Sequence, residues 1–261
     1  MGLFYTIAKY TNYKLKSINE HKIHSPFVYE LVTDVLYDKN PFYVFDDIES
    51  IRAKLKLSTK KITVSDYGAN ASYKNSNIKS IASIVNTSSK RKKYCEVLFK
   101  LVNKYKPLNI IELGTNLGIS SMYIASGNKN SRVVTIEGCP NLSKIAQINF
   151  NKLGLNNIQL INGVFDESFP KVLEGFNAID FIFFDGNHRK EATLNYFYKG
   201  LEKVHNDSIF VFDDIYWSKG MTEAWEEIKQ NSKVTCTIDI FEMGIVFFKK
   251  ELSKEHFIVN F

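Results

Sequence analysis

The sequence is poor in cysteine, with only Cys95, Cys139 and Cys236 among its 261 residues. The number is odd, the spacings are wide, and no paired Cys or His pattern accompanies them. A disulfide framework needs paired cysteines, and a structural zinc site needs closely spaced Cys and His ligands. The sequence therefore indicates neither and favours a protein of the reducing cytoplasm.

Long apolar runs are absent as well. No segment approaches the roughly 18 consecutive apolar residues that indicate a transmembrane helix. The stretch MGLFYTIAKYTNYKLKSINEHK lacks the apolar run and small-residue cleavage site of a signal peptide. We therefore expect a cytoplasmic protein without a membrane partner, in which 44% hydrophobic residues suffice for a globular core.

The excess of positive charge is modest. The net charge is +6, and the densest cluster is SSKRKKY at 88–94. Because lysines are spread along the whole chain, a solvated loop or helix start explains this cluster better than a nucleic-acid site. An RNA partner would suit the charge, but no motif specifically indicates one.

Short apolar runs alternate with helical patterns from residue 108 onward, which is typical of a doubly wound α/β fold. Two later runs, KVTCTIDI and MGIVFFKK, are only two residues apart, so no crossover helix can join them and they should be antiparallel. The sequence predicts a Rossmann-like mixed sheet of seven strands with one antiparallel strand near the C-terminus. The other predicted strands are 109–113, 132–136, 158–162, 179–184 and 208–212, and the predicted helices between and after them lie near 118–127, 140–153, 167–175, 189–204 and 218–230.

The first part of the chain has a different pattern. SPFVYELVTDVLYD and DDIESIRAKLKL have helical spacing, and SDYGANASYKNSNIKS at 65–80 is polar and loop-like. Apolar residues then predict a helix over 91–106, closed by Pro107. We predict a helical N-terminal cap or lid at 1–80 and an α/β domain at 81–261.

A glycine-containing turn follows the first strand of the α/β domain in IIELGTNLGISSMYIA. Glu112 ends the strand, and Gly114 and Gly118 precede a helix whose first N–H groups are available to a ligand. The pattern E-x-G-x-x-x-G differs from the dinucleotide fingerprint G-x-G-x-x-G, which disfavours a nicotinamide cofactor. A tight strand–helix connection without a ligand would use glycines in the same way.

The ends of the next two strands complete a candidate nucleoside site. Glu137 ends RVVTIE about twenty residues after the glycines, where a carboxylate can accept hydrogen bonds from both hydroxyls of a ribose. In INGVFDESFP, Asn162, Gly163 and the backbone that follows to Phe165 would border a flat base, and Asp166 would accept from its exocyclic amine.

The glycine loop, the acidic end of the second strand and the reversed final strand together resemble those of class I S-adenosylmethionine-dependent methyltransferases. The resemblance covers residues 90–250, and FIFFDGNHRKE and IFVFDDIYWSKGM are most similar to the O-methyltransferases related to catechol and sugar O-methyltransferases. It implies methyl transfer from S-adenosylmethionine to a hydroxyl oxygen of a small-molecule or sugar-containing acceptor. It also implies that Gly114, Glu137 and Asp185 line one cleft, with Asp185 contacting the cofactor.

Three carboxylates follow two neighbouring strands: Asp185 closes the fourth, and Asp213 and Asp214 close the fifth. Like charges placed together repel one another, and a bound cation relieves the repulsion. Oxygen ligands favour Mg²⁺ or another hard divalent cation, and the resembling enzymes hold such an ion there, commonly with Asp-Asn in place of Asp213-Asp214. Acids that only form a turn or cap a helix are the alternative.

His188 lies three residues after Asp185, where the related enzymes carry a basic side chain. A histidine in this place can take the proton of the acceptor hydroxyl near neutral pH. His188 and Asp185 are therefore the catalytic candidates, and a solvated or helix-capping histidine is the alternative.

Two other functions stay open. An RNA or tRNA methyltransferase would keep the cofactor and use the positive charge, although no RNA-binding appendage is recognisable. A non-catalytic nucleoside-binding module would keep only the pocket. Neither the identity of the acceptor nor the oligomeric state can be read from the sequence.

Overall fold

The computed structural model describes residues 3–65 and 76–261. The chain divides into two compact units: Met1–Asp38 with Phe176–Phe261, and Lys39–Gly175. The division of the chain at residue 80 into a cap and an α/β domain stays a prediction. The α-helices of the described residues are α1 (Leu3–Lys16), α2 (Pro26–Leu31), α3 (Tyr43–Lys56), α4 (Ile81–Ser88), α5 (Lys92–Tyr105), α6 (Ile119–Gly127), α7 (Pro140–Lys152), α8 (Phe165–Glu174), α9 (Lys190–Gly200) and α10 (Lys219–Gln230). A 3-10 helix (Glu20–Lys22) precedes α2, and a π-helix (Val32–Leu36) continues it. The strands are β1 (Lys61–Ser65), β2 (Ser76–Ser80), β3 (Asn109–Leu113), β4 (Arg132–Glu137), β5 (Ile158–Asn162), β6 (Ile179–Phe184), β7 (Val204–Asp213), β8 (Cys236–Asp239), β9 (Met243–Phe247) and β10 (Glu255–Ile258).

The first unit contains a mixed sheet in the order β10-β8-β9-β7-β6. β6 and β7 are parallel, whereas β9 runs antiparallel to both β7 and β8. All residues of β9, and all but Asp180 of β6, are buried, which is why their sequences are nearly continuous apolar runs. The predicted α/β fold with one reversed strand near the C-terminus is confirmed.

The predicted count of seven strands omitted β10. This strand pairs in parallel with β8, so the described residues contain eight strands apart from β1 and β2: β6–β10 in the first unit and β3–β5 in the second. Its sequence EHFI has two exposed and two half-buried residues. It therefore lacks the continuous apolar run by which the other strands were recognised.

The N-terminal segment belongs to the same unit as the C-terminal residues. The buried Tyr13 of α1 donates its hydroxyl proton to the Val259 carbonyl at 2.5 Å and accepts from the Phe261 N–H at 3.0 Å. Ile18 forms a parallel bridge with Val259. These contacts join segments more than 240 residues apart in the sequence. The spacing of apolar residues within each segment could not predict that the two segments meet.

The second unit contains the parallel strands β3, β4 and β5, in the order β3-β4-β5. The predicted helix over 91–106 is α5, which ends at Lys106 in the left-handed conformation immediately before Pro107. A buried core joins α3, α4, α5, α6 and α7 through residues that include Phe45, Ile48, Ile84, Phe99, Met122 and Phe150.

A two-stranded antiparallel ribbon, β1 and β2, corrects the loop prediction for 65–80. β2, which replaces the end of the predicted loop, has the sequence SNIKS, and its one apolar residue, Ile78, is exposed. Five residues with a single apolar side chain were too few to distinguish a strand from a loop. Residues 66–75 of the predicted loop lie outside the described residues.

Candidate functional site

The glycine loop between β3 and α6 has an unusual backbone in which every second residue has a positive φ. The values are +109° at Gly114, +51° at Asn116 and +83° at Gly118. The loop is fixed to the end of β4 because the Gly114 N–H donates to the Ile136 carbonyl at 3.0 Å. Glycine supports this conformation with little strain, so the sequence pattern encodes the shape of the loop.

Gly118 is required by packing as well as by its φ. A Cβ atom at this position would lie 2.5 Å from Cε1 of Phe150, a side chain of the buried core. A larger residue would therefore displace the start of α6. A direct contact of Gly118 with a cofactor stays a prediction.

Glu112 lies beneath the loop and is fully buried, with 0% of its surface exposed. Its carboxylate accepts hydrogen bonds from Ser120 and Thr135, both at 2.6 Å, and from the Ser121 hydroxyl. Burial raises the pKa of Glu112, and the three hydroxyls partly oppose that effect. The residue joins β3, β4 and α6, and its predicted contact with the cofactor stays a prediction.

Glu137 is the carboxylate that the loop itself contacts. Its Oε2 accepts from the Asn116 N–H and its Oε1 from the Cys139 N–H, each at 2.8 Å. Burial raises the pKa of Glu137, and these backbone N–H groups oppose that rise. These two N–H groups hold the side chain in one orientation. Each carboxylate oxygen can accept a second hydrogen bond, so Glu137 can still bind a pair of hydroxyls.

The segment after β5 lies beside Glu137. The Gly163 N–H donates to the Glu137 carbonyl at 3.0 Å, and Asn162 Nδ2 donates to the same carbonyl at 2.7 Å. Phe165 and Asp166 then open α8, the first half-buried and the second exposed. The second unit thus brings together Glu112, Gly114, Gly118, Glu137 and Gly163, with Phe165 and Asp166 following in sequence.

Two polar residues at this site were missed by the sequence analysis. Asn116 Nδ2 donates to the Ser88 carbonyl at 2.8 Å, and because a carbonyl can only accept, this contact fixes the orientation of the amide. Asn116 Oδ1 and Ser89 Oγ are then buried without a hydrogen-bond partner among the described residues. Buried polar atoms are normally satisfied, so both are candidate ligand contacts. In the sequence, the one feature that could have drawn attention to Asn116 is its place between Gly114 and Gly118.

The first unit holds the other predicted residues. His188 Nε2 lies 3.7 Å from Asp185 Oδ1 and 3.8 Å from Asp214 Oδ2, and all three side chains are partly exposed. The parallel pairing of β6 and β7 produces this arrangement because both strands end at the same edge. The structure therefore places His188 beside the carboxylates of two strand ends. The contact of Asp185 with the cofactor stays a prediction.

The three aspartates do not form one exposed group. Asp213 is only 2% exposed, while Asp214 has a φ of +53° and donates its N–H to the Glu242 carbonyl. Among residues 3–65 and 76–261, no set of three or more His, Cys, Asp or Glu side chains is placed to hold a metal ion. The divalent site at Asp185, Asp213 and Asp214 stays a prediction, and no step below passes through it.

Two aromatic side chains follow the carboxylates. The Tyr216 hydroxyl donates to Asp239, and burial together with that carboxylate raises its pKa, so the phenol is engaged in the unit's own structure. Trp217 is 57% exposed, and its backbone N–H, not its indole, donates to the Asp214 carbonyl at 2.9 Å. Of the two, Trp217 has the surface to offer to a ligand.

Asp239 should make stability depend on pH. Burial raises its pKa from 3.8 to about 6 despite hydrogen bonds from Tyr216 and the Phe241 N–H. The folded chain therefore binds a proton more tightly than the unfolded chain, and the free energy of unfolding should fall by roughly 2–3 kcal/mol as the pH rises from 4 to 6. Urea denaturation across this range measures the slope.

The variant Asp239→Asn tests whether Asp239 causes this pH dependence of the free energy of unfolding. The amide is neutral at every pH, so the variant should lose the Asp239 part of the slope while retaining what Glu112 and Glu137 contribute in the same direction. Equal slopes in the wild type and the variant would show that Asp239 does not titrate as described.

The segment that contains the candidate site is similar in sequence to known proteins. Residues 111–215 match the family model of a methyltransferase domain. This segment begins in β3 and ends just after Asp214, so it contains the glycine loop, Glu137 and His188. Catechol O-methyltransferase of Niastella koreensis is 29% identical over 134 residues, which are 50% of this chain and 58% of that protein. Catechol O-methyltransferase of Mycobacterium tuberculosis is 25% identical over 114 residues, 43% of this chain and 50% of that protein.

The fold is also similar to that of solved structures. An O-methyltransferase from Bacillus cereus in complex with SAH has a TM-score of 0.56 and 20% sequence identity, and the match covers 84% of this chain and 96% of that one. The predicted Rossmann-like fold is thereby confirmed. The chain spans only 50–58% of the length of the two curated relatives named above.

The described part of the chain contains no helix that is both long and apolar enough to cross a membrane.

Proposed function

We propose that this protein is an S-adenosylmethionine-dependent O-methyltransferase that acts on a small hydroxylated or sugar-containing acceptor. The observation that carries the proposal is Glu137, whose two oxygens are oriented by the N–H groups of Asn116 and Cys139. A carboxylate held in this way at the end of the second parallel strand suits the two hydroxyls of a ribose. The match of 111–215 to a methyltransferase domain supports the same ligand class.

Cofactor binding is assigned to the second unit. Glu137 would hold the ribose, Gly114 would admit the ligand close to the backbone, and Gly163, Phe165 and Asp166 would border the adenine. Asn116 Oδ1 and Ser89 Oγ, which are buried without a partner among the described residues, would supply two further polar contacts. S-adenosylmethionine, when bound, supplies a methyl group already activated on a sulfonium.

Proton transfer is assigned to the first unit. His188 would take the proton of the acceptor hydroxyl on a ring nitrogen, so that the oxygen could accept the methyl group that S-adenosylmethionine would supply when bound. Asp185 and Asp214, 3.7 and 3.8 Å from His188 Nε2, stabilise the imidazolium that results. The exposed indole of Trp217 offers a surface on which the acceptor can pack.

Two measurements test the proposal. Calorimetry should detect binding of S-adenosylhomocysteine, and a labelled methyl group should appear on a member of a panel of phenols, sugars and tRNA. Labelling of tRNA alone, with affinity that falls steeply with salt, would replace the proposal by an RNA methyltransferase. Cofactor binding without labelling of any acceptor would support a non-catalytic nucleoside-binding module.

The divalent ion needs its own experiment. If Asp185, Asp213 and Asp214 hold Mg²⁺ or a related ion, EDTA should abolish turnover, added Mg²⁺ or Mn²⁺ should restore it, and cofactor affinity should not change. Full turnover in EDTA would reject the ion and leave His188 to accept the proton unaided.

A further inference from the structure

A buried arginine on α3 lies at the centre of a polar cluster in the second unit. Arg52 is 6% exposed, and its Nε donates to Glu49 Oε1 at 2.9 Å. One terminal nitrogen donates to the Lys90 carbonyl at 2.8 Å, and the other lies 3.7 Å from Cys95 Sγ. Burial raises the pKa of Cys95 to about 12, so the thiol is neutral and Glu49 is the acidic partner of Arg52 in this cluster.

The contact with Lys90 fixes a short segment that runs from the last residue of α4 toward α5. Two residues before Lys90, the Ser88 carbonyl accepts from Asn116 Nδ2 at 2.8 Å. Between them lies Ser89, whose buried Oγ has no partner among the described residues. The segment 88–90 is thus held by Arg52 at one end and contacts the glycine loop at the other.

The same path continues to the candidate ribose site. Asn116 donates its backbone N–H to Glu137 Oε2 at 2.8 Å, while its Oδ1 is a buried acceptor without a partner in the described chain. Displacing 88–90 would remove the acceptor for Asn116 Nδ2 and free the amide to rotate. The orientation of Glu137 would then be less restricted.

We propose that Arg52 is a positioning residue for the cofactor site, acting through the segment 88–90 and Asn116. This inference rests on the proposed function, in which Glu137 and Asn116 contact the cofactor. The planar guanidinium reaches the carboxylate of Glu49, the carbonyl of Lys90 and the thiol of Cys95 from one side chain, which a lysine ammonium cannot reproduce in the same geometry. An alternative is that the cluster only stabilises the unit.

A matched variant separates these roles. Tyr123 donates its hydroxyl proton to the same Glu49 oxygen at 3.0 Å but has no hydrogen bond to the segment 88–90. Tyr123→Phe should therefore lower the melting temperature and leave affinity for S-adenosylhomocysteine unchanged. Arg52→Met should weaken that affinity about ten- to a hundredfold, the range for losing hydrogen bonds made by a charged group.

Calorimetry with S-adenosylhomocysteine and thermal unfolding should be measured on wild type, Arg52→Met, Arg52→Lys and Tyr123→Phe. Arg52→Lys keeps the charge and supplies a second variant if Arg52→Met does not fold, and we expect at least a fivefold loss of affinity from it, on the order of 1 kcal/mol. Added ethylguanidinium should restore part of the affinity of a folded Arg52 variant. Wild-type affinity in both Arg52 variants, or an equal loss in Tyr123→Phe, would overturn the inference alone. Wild-type protein that does not bind S-adenosylhomocysteine would overturn the proposed function and this inference together.

Discussion

Turnover should fall by roughly 10²–10⁴-fold when His188 is replaced by glutamine, the range expected for loss of a general base. His188 Nε2 lies 3.7 Å from Asp185 Oδ1 and 3.8 Å from Asp214 Oδ2, so the imidazole stands at the ends of both strands, where the acceptor hydroxyl is expected. Glutamine fills a similar space and still forms hydrogen bonds, but it cannot accept the proton. Single-turnover methyl transfer to a responsive acceptor is the measurement, and S-adenosylhomocysteine affinity should be unchanged.

A second histidine in the same unit provides the control. His205 Nε2 also pairs with an aspartate, lying 2.7 Å from Asp180 Oδ1, at the opposite end of β6 from Asp185. His205→Gln should therefore keep wild-type turnover. If His188→Gln is as active as His205→Gln, the base is not His188, and Asp185 would become the residue to examine by Asp185→Asn.

Cofactor affinity should fall by roughly 1.5–3 kcal/mol when Glu137 is replaced by alanine, because hydrogen bonds to a charged acceptor are lost. The substitution also removes the acceptor of the Asn116 and Cys139 N–H groups, so the glycine loop would lose an internal support. Calorimetry with S-adenosylhomocysteine measures the change, and a preserved far-ultraviolet circular dichroism spectrum establishes that the variant folds.

The exposed Glu174 at the end of α8 is a matched control, since Glu174→Ala removes the same side chain from a residue outside the site. Glu137→Gln adds an intermediate case, because its amide carbonyl can serve only one of the two N–H groups. We expect affinity to decrease in the order Glu174→Ala, Glu137→Gln, Glu137→Ala. Equal affinities in all three would remove Glu137 from the cofactor site.

Some of the candidate site residues could be predicted from the sequence and others could not. Asp185 and Glu137 stand where an apolar run stops, and strand ends are where α/β proteins bind ligands. Asn116 and Ser89 do not follow an apolar run. The place of Asn116 between two glycines was a weak signal, since a polar residue in a loop is ordinarily solvated. Only the contact of Asn116 with Ser88, 28 residues earlier in the chain, shows that an acceptor is buried there.

Glu112 and Asp213 show a related difference. The sequence places both at strand ends, where a carboxylate could equally contact a ligand or support the fold. In the structure, three hydroxyls from α6 and β4 surround Glu112, and Asp213 is buried, whereas Asp214 beside it is partly exposed. The direction in which each side chain points depends on the local backbone, including the positive φ of Asp214.

The sequence by itself determined the order of strands and helices after residue 108, because burial on both faces demands continuous apolar runs and surface helices demand a period near 3.6. It also determined the reversed strand, since Phe241 and Glu242 leave no room for a crossover. Tertiary structure alone decided the addition of β10 and the β1–β2 ribbon, the place of His188 between two carboxylates, and the path from Arg52 to Glu137. The physical reason is that periodicity indicates which face of an element is buried, whereas these features depend on strand pairings and individual contacts between residues that only folding brings together.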